Sequence, residues 1–391
     1  MKAVVMAAGK GTRMEPLTCT RPKPMLPVAN RPFLTHVLDE FLGIVSEAII
    51  VIHPEDTKTP TLGAAYKAIA LSYIVQEKQL GTGHALLCAR DVITDRFLLV
   101  NGDNLFSHDD ITTICSLETG LLASYKTDLS AYGALISKGK YLQEIREKSV
   151  SGPGYSNAGL YILTPDIFSF TPSLSPRGEY ELTDMLNAYG KKKPLTIVSA
   201  KEQHYSITYP WDLLEVNQYL LNKIKESAIE ANVKGPVAIE GVVIIGKGTE
   251  IDAFATVKGP CVIGINCKLG PQTYIRPYTS VGDECIINCE VKNSILYNNA
   301  KSTHSSSHLL DSIIGENTNI GANTITANLR HDGQNVLSEV KGKLIDTGLK
   351  KFGAIIGDDV HTGIGTGIRP GRKLWHGTTT LEHEVVTKDK H

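Results

Sequence analysis

From Pro236 onward the chain places an aliphatic residue at every sixth position: Ile239, Ile245, Ile251, Val257, Ile263, Leu269, Ile275, Val281 and Ile287. The phase slips, resumes at Ile314 and Ile320, and returns at Ile356, Ile368, Leu374 and Val386. Glycine often follows the aliphatic residue, as in Ile245-Gly246, Ile263-Gly264 and Ile320-Gly321. A helix repeats near 3.6 residues and a half-buried strand near two, so neither produces this spacing. It fits a β-solenoid whose coils have three short faces, each turning one aliphatic residue inward. Small residues two positions earlier in the phase, namely Cys261, Cys267, Thr273, Thr279 and Cys285, suit tight corners. That packing role accounts for three of the seven cysteines. Their odd number and spacing fit neither a disulfide framework nor a zinc site, so reduced, buried thiols are expected.

The first half is periodic in a different way. Lys2 to Met6, Glu47 to Ile52, Leu71 to Val75 and Phe97 to Val100 read as strands separated by amphipathic segments. Alternation of this kind predicts an α/β layer fold with a largely parallel sheet. Leu213, Leu214, Val216, Leu220, Leu221 and Ile224 stand at helical spacing, so an amphipathic helix over 211–224 closes this half, with 228–236 as connector. The reading is therefore two domains, 1–226 and 227–391. A chain of 391 residues is long enough for both to have cores.

Lys plus Arg number 40 against 41 for Asp plus Glu, so no global field favours nucleic acid or an anionic membrane as partner. No run of about eighteen apolar residues occurs, and a strand pattern begins at Lys2. A soluble, cytoplasmic protein is the expectation.

Directly after the first strand comes Ala7-Ala8-Gly9-Lys10-Gly11-Thr12-Arg13-Met14. Glycines here let backbone N–H groups approach a phosphate, and Arg13 can neutralise its charge. The spacing is neither that of a Walker loop nor that of the dinucleotide fingerprint. Arg21-Pro22-Lys23-Pro24-Met25 then sets a lysine between two prolines, a rigid frame for its ammonium.

The stretch Ala7 to Met25 resembles the opening of the sugar-1-phosphate nucleotidylyltransferase family. Further matches follow in family order: Gln79 to Ala85, Asn101-Gly102-Asp103, Tyr132-Gly133, Glu147-Lys148, Asn157-Ala158-Gly159 and Gly178 to Asp184. The resemblance implies a Rossmann-like nucleotidyltransferase domain. In it Ala8, Gly9, Gly11, Thr12 and Arg13 hold the triphosphate, and Lys23 stabilises charge on the reacting phosphates. Gln76, Gly81 and Thr82 read the pyrimidine base, and Asp103 holds Mg²⁺. Gly133, Glu147, Asn157 and Thr183 line the sugar-phosphate pocket, with Lys148 as a phosphate contact. One departure concerns the second metal ligand of the family, whose place falls on Ser206; serine is a poor Mg²⁺ ligand, and Asp212 is the alternative.

Residues 236 to 388 resemble the acetyltransferase domain of bifunctional N-acetylglucosamine-1-phosphate uridylyltransferase/glucosamine-1-phosphate N-acetyltransferase enzymes, especially archaeal types. The stretches that carry this are Gly270-Pro271 with Ile275-Arg276-Pro277, Glu290-Val291-Lys292, Asp311 to Gly333, and Lys350 to Asp358. The resemblance implies a left-handed parallel β-helix of hexapeptide repeats that assembles as a homotrimer and uses acetyl-CoA. Arg276 and Lys292 would bind sugar phosphate, Asn328 the sugar, and Lys351 the acetyl-CoA phosphates. His304 stands at the family's spacing from Lys292 for the catalytic base. Counted back from Asp311, Ser305 takes that place, so a one-residue insertion lies between His304 and Asp311. His308 is the other candidate. Ser305-Ser306-Ser307 and Asn323 depart from the family pattern.

The function these readings imply is transfer of a nucleotidyl group from UTP or dTTP to a sugar 1-phosphate, with pyrophosphate released. Acetyl-CoA-dependent N-acetylation of glucosamine 1-phosphate would be the task of the second half. Two alternatives stand beside this: a monofunctional enzyme with a structural solenoid, and a non-catalytic sugar-nucleotide sensor. Uracil and thymine share one hydrogen-bonding edge, so the base stays open, as does the sugar.

Overall fold

A computed structural model describes residues 1–175 and 178–391. The chain divides into two compact units. One comprises Met1–Lys10, Pro22–Met25 and Phe33–Ser206; the other comprises Gly11–Arg21, Leu26–Pro32 and Ile207–His391.

The first unit is built on a ten-stranded sheet. Its heart is four parallel strands in the order Ile69–Val75, Glu47–Ile52, Lys2–Met6 and Phe97–Asn101. Lys2–Met6 and Glu47–Ile52 carry apolar side chains on both faces because both are covered, as parallel sheets require. Helices α1 (Phe33–Glu40), α2 (Thr82–Cys88), α3 (His108–Cys115) and α4 (Leu182–Lys192) belong to the same unit. Beyond Phe97–Asn101 the sheet ceases to be parallel: Gly154–Leu163 runs antiparallel to it and to Gly120–Lys126. The expected largely parallel sheet is thus a parallel core with a mixed extension. Its outer strand Tyr141–Glu147 is polar and alternating, buried on one face only, whereas Gly154–Leu163 next to the parallel core is buried over its last six residues.

In the second unit, helix α5 (Asp212–Lys223) lies where the apolar spacing placed it. The solenoid follows as three stacks of parallel strands, the first of which runs from Ala228–Ile229 through Val243–Ile245 to Lys373–Leu374. Ala228–Ile229 and Asn232–Val233 pair in register with Val243–Ile245 and Glu250–Ile251, so the expected connector is itself the first coil. The in-phase residues from Ile245 to Val386 form one buried core.

The phase slip has a local cause. Val281 pairs with Leu296, fifteen residues on, where neighbouring coils advance by eighteen, as from Ile263 to Val281. The residues lost fall at the corners around Asn288 and Asn293. Val291, Leu296 and Leu309 then take over the inward positions. A larger interruption follows Thr326, so that Ile314 pairs with Ile356, forty-two residues on; the excursion contains the hairpin Leu337–Val340 and Lys343–Asp346.

Many solenoid corners are made by a residue with positive φ, among them Asn266, Asn299, Asn317 and Asn323. Asparagine tolerates the left-handed region best among residues with a side chain, which explains why Asn323 can stand at a corner at all. The small residues of the phase do more than fit. Thr249, Cys267 and Cys285 donate from their side chains to the carbonyls of Gly264, Gly282 and Tyr297 on the next coil, at 2.8, 3.0 and 3.2 Å. Buried carbonyls are satisfied by this ladder. Burial also pushes the Cys261 and Cys289 thiols up to about 12.

Candidate active sites

The parallel strands determine where the first site's residues lie. Lys2–Met6 delivers the chain into the glycine loop, in which Ala8 is buried while Gly9 and Lys10 are exposed. A side chain added at Gly9 would meet nothing within 4 Å, so the backbone there faces open space, as a phosphate cradle needs. Gly11, at φ 67°, ends the loop in the left-handed region and starts the 3₁₀ turn Thr12–Met14, which carries Arg13. The Gly11 carbonyl accepts from Met14 N at 2.8 Å and Thr18 Oγ1 at 3.0 Å. The Arg13 guanidinium lies 5.8 Å from the centre of the Tyr209 ring.

Strand Phe97–Asn101 presents Asp103 just past its end. Gly102 N donates to Met6 O at 2.9 Å, and a Cβ at Gly102 would come within 3.0 Å of that oxygen. A side chain here would crowd the two strand ends where they meet. Lys23, in the turn Lys23–Met25, extends Nζ to within 2.6 Å of Asp103 Oδ2. Lys23 and Asp103 are the predicted cation and metal ligand, and the fold brings them together.

Asp103 fits a magnesium ion. Mg²⁺ takes only one or two protein carboxylates and completes its shell with water and phosphate oxygens. Asp103 offers one such carboxylate, about a third exposed. Asp212 Oδ2 accepts from Thr208 N and Tyr209 N at 2.7 Å each, so it ties off the turn that starts α5. Ser206 pairs in register with Asn104, the neighbour of Asp103.

Gln76, Gly81 and Thr82, the residues expected to read the base, form a scaffold. Gln76 is buried; its Nε2 donates to Gly81 O at 3.1 Å and lies 3.0 Å from His84 Nδ1. Gly81, at φ 104°, has Tyr180 O where a Cβ would stand, 2.6 Å away. Tyr180 N donates to Leu80 O at 2.6 Å, Gly83 N donates to Tyr180 O at 2.8 Å, and Leu182 N donates to Thr82 Oγ1 at 3.0 Å. The last bond satisfies an amide at the start of α4, a helix with no side-chain cap of its own. Two motifs a hundred residues apart are thus one structural element, with Thr183 beside the join.

Of the residues expected to hold the sugar phosphate, Gly133, Glu147, Lys148 and Asn157 lie on the mixed extension and Thr183 on α4. Gly133 pairs with Glu147, whose Oε1 would lie 2.8 Å from a Cβ at 133. Lys148 follows with positive φ and an exposed side chain. Asn157 Nδ2 donates to the buried Tyr161 hydroxyl at 2.7 Å. Burial raises the Tyr161 phenol well above its ordinary value, so this partner stays protonated. Asn104 Nδ2 donates to Ala158 O at 2.9 Å, which joins the Asp103 and Asn157 motifs.

In the solenoid, Arg276, Glu290, Lys292 and His308 lie on one stack, where Glu290 pairs with His308 and Lys292 with Leu310. Arg276 NH1 lies 2.8 Å from Glu290 Oε1, and His308 Nδ1 3.1 Å from Glu290 Oε2. Partial burial raises the Glu290 carboxyl, but its bonds to Arg276 and His308 outweigh this and hold it below the ordinary value. Asp311, buried and at positive φ, gathers Lys292 Nζ at 3.3 Å, Asn293 Nδ2 at 2.7 Å, and Asn328 Nδ2. Arg276, Lys292 and Asn328 were expected near sugar phosphate; Glu290, which holds Arg276, and Asp311, which holds Lys292 and Asn328, were seen only as motif residues. His304 sits on an exposed turn, and among the described residues nothing bonds its ring. The inserted residue lies here: Lys301 to His308 spans seven positions, where the next coil spans six from Asn319 to Ile325. Lys351 is exposed beside the hairpin excursion.

The nucleotidyl transferase family matches residues 2–212, and the six-repeat bacterial transferase hexapeptide family matches 242–277. The bifunctional protein GlmU of Methanococcus maripaludis strain S2 is 38% identical over 100% of this chain and 95% of its own length. The chain belongs to the GlmU-type family of bifunctional enzymes. A second GlmU, from strain C7 of the same species, is 44% identical over 96% of this chain and 92% of its own. The bifunctional sugar-1-phosphate nucleotidylyltransferase/acetyltransferase of Sulfurisphaera tokodaii is 35% identical over 100% and 98%. Among solved structures, a Bacillus anthracis protein described as a glucose-1-phosphate thymidylyltransferase has a TM-score of 0.52 at 26% identity. It covers 58% of this chain and 98% of its own. A UDP-glucose pyrophosphorylase of Acinetobacter, TM-score 0.50 and 22% identity, shares the fold of the same half.

GlmU-type membership makes this chain an enzyme with a nucleotidyltransferase half and a hexapeptide acetyltransferase half, the latter a left-handed parallel β-helix. Among the described residues no helix is long and apolar enough to cross a membrane.

Proposed function

We propose that residues 227–391 N-acetylate glucosamine 1-phosphate with acetyl-CoA, and that residues 1–226 then transfer a nucleotidyl group from UTP, or dTTP, to the product. The observation that carries the second step is the Lys23–Asp103 pair at 2.6 Å beside the end of the first strand. It provides a cation and a metal-binding carboxylate where the glycine loop begins.

In the nucleotidyl step an oxygen of the sugar phosphate attacks the α-phosphorus, the bond to the bridging oxygen breaks, and pyrophosphate leaves. No protein nucleophile is needed. The amides of Ala8 to Thr12 and the side chain of Arg13 bind the triphosphate, while Lys23 stabilises charge on the reacting oxygens. Magnesium bound at Asp103 would neutralise further phosphate charge. Gln76, Gly81 and Thr82 read the base, and Gly133, Glu147, Lys148, Asn157 and Thr183 hold the sugar 1-phosphate.

In the acetyl step the sugar amine attacks the thioester carbonyl, the carbon–sulfur bond breaks, and a base takes the amine's proton. His304 is that base by its spacing from Lys292. A second reading assigns it to His308, because Glu290 holds that ring by Nδ1 as an orienting carboxylate does. Arg276 and Lys292 bind the phosphate and Asn328 the sugar. A homotrimer acting in the cytoplasm completes the proposal, with light scattering as the check on assembly.

The deciding experiment assays a matrix of triphosphates and sugar 1-phosphates for pyrophosphate, and glucosamine 1-phosphate with acetyl-CoA for free thiol. Pyrophosphate from UTP with N-acetylglucosamine 1-phosphate, together with thiol release, is the expected result. No pyrophosphate from any pair would overturn the first activity, and no thiol the second.

A further inference from the structure

We infer that the solenoid itself holds the phosphate-binding segment Gly11–Arg21 in its working conformation, with Arg21 and Asp358 as positioning residues for nucleotidyl transfer. This rests on the nucleotidyl-transfer reading above. The segment belongs to the same compact unit as the solenoid, not to the unit of the parallel sheet.

The attachment is specific at two points. At the segment's end, Arg21 Nη2 lies 2.6 Å from Glu316 Oε2 and bonds Asp358 Oδ2, which Thr20 Oγ1 also reaches. Asp358 is itself fixed, since its Oδ1 accepts from Glu316 N at 2.7 Å. The Arg21 guanidinium lies 5.2 Å from the centre of the buried Tyr297 ring. In the middle, Lys373 reaches Glu15 O with Nζ at 2.9 Å, although Lys373 is only 2% exposed. Within the segment, Thr18 closes on Gly11 O.

The side chains of Arg21 and Asp358 are 12% and 5% exposed. Solvent screens a pair so enclosed very little, and removal of one partner leaves a buried charge uncompensated. The two residues act on the loop that carries Gly11, Thr12 and Arg13. The GlmU-type solenoid thereby gains a task in the first reaction besides its own chemistry.

Asp358→Asn keeps the shape and removes the charge, and Thr20→Val removes one bond to Asp358. Two measurements on the full-length protein test the inference. Hydrogen exchange should show the amides of 11–21 in Asp358→Asn exchanging at least tenfold faster than in wild type, with sheet amides unchanged. Kinetics should show kcat/KM for the triphosphate down at least tenfold, KM for the sugar 1-phosphate within twofold, and Thr20→Val shifted the same way by a smaller factor. Wild-type exchange over 11–21 in a folded Asp358→Asn protein would overturn the inference, as would a wild-type kcat/KM. Should Asp358→Asn not fold, unchanged exchange in Thr20→Val would overturn it. Failure of the wild type to release pyrophosphate would count against the proposed function instead, and the exchange result would still decide the attachment.

Discussion

Lys23 Nζ lies 2.6 Å from Asp103 Oδ2, although eighty residues separate the two in the chain. The ammonium is nearly enclosed and the carboxylate is partly open to solvent. One side of Asp103 is therefore held by a cation while the other is open to solvent.

Asp103→Asn keeps the volume and removes the charge. It should lower pyrophosphate release by about a hundredfold to a thousandfold, and Lys23→Met by a similar factor, since each removes a group aimed at transition-state charge. Steady-state assays with saturating magnesium check this. Near-wild-type turnover in either variant would remove the pair from the mechanism.

Gly81→Ala should destabilise the first unit by about 1–3 kcal/mol. The backbone is at φ 104° and Tyr180 O occupies the space of the new methyl group. Thr82→Val should cost about 1 kcal/mol by orphaning Leu182 N. Urea melts give both numbers. Because Gln79–Ala85 and Gly178–Asp184 are bonded together, KM should rise for the triphosphate and for the sugar 1-phosphate alike; a rise for one substrate alone would mean the motifs act separately.

His304→Ala should reduce thiol release by about 10²–10⁴-fold if spacing along the chain identifies the base correctly, with a smaller loss for His308→Ala. The reverse order of effects would assign the proton transfer to the histidine that Glu290 holds.

The stability that Glu290 contributes should depend on pH. Its carboxyl is held below the ordinary range by Arg276 and His308 despite partial burial. A depressed carboxyl contributes stability above its unfolded-state pKa, and that contribution is lost as pH falls through the folded value. Glu290→Gln should therefore cost about 1 kcal/mol or less near pH 7 and less than that near pH 3. Denaturant melts at the two pH values measure the difference; an equal cost at both would show that the charge is not what matters.

Periodicity and local motifs were enough to read much of this protein from its residues alone. An aliphatic residue at every sixth position, from Ile239 to Ile287, can bury itself in few ways other than a three-faced coil. Apolar runs such as Lys2–Met6 need a sheet covered on both sides. Both inferences depend on local spacing, which a chain displays without folding. The shortened coil at Val281–Leu296, the bond from Thr82 to Leu182, the gathering of Lys292 and Asn328 on Asp311, and the burial of Arg21 against Asp358 were decided by tertiary structure alone. Each joins residues that follow separate local rules, and side-chain pairing across such distances leaves no periodic trace in the order of the amino acids.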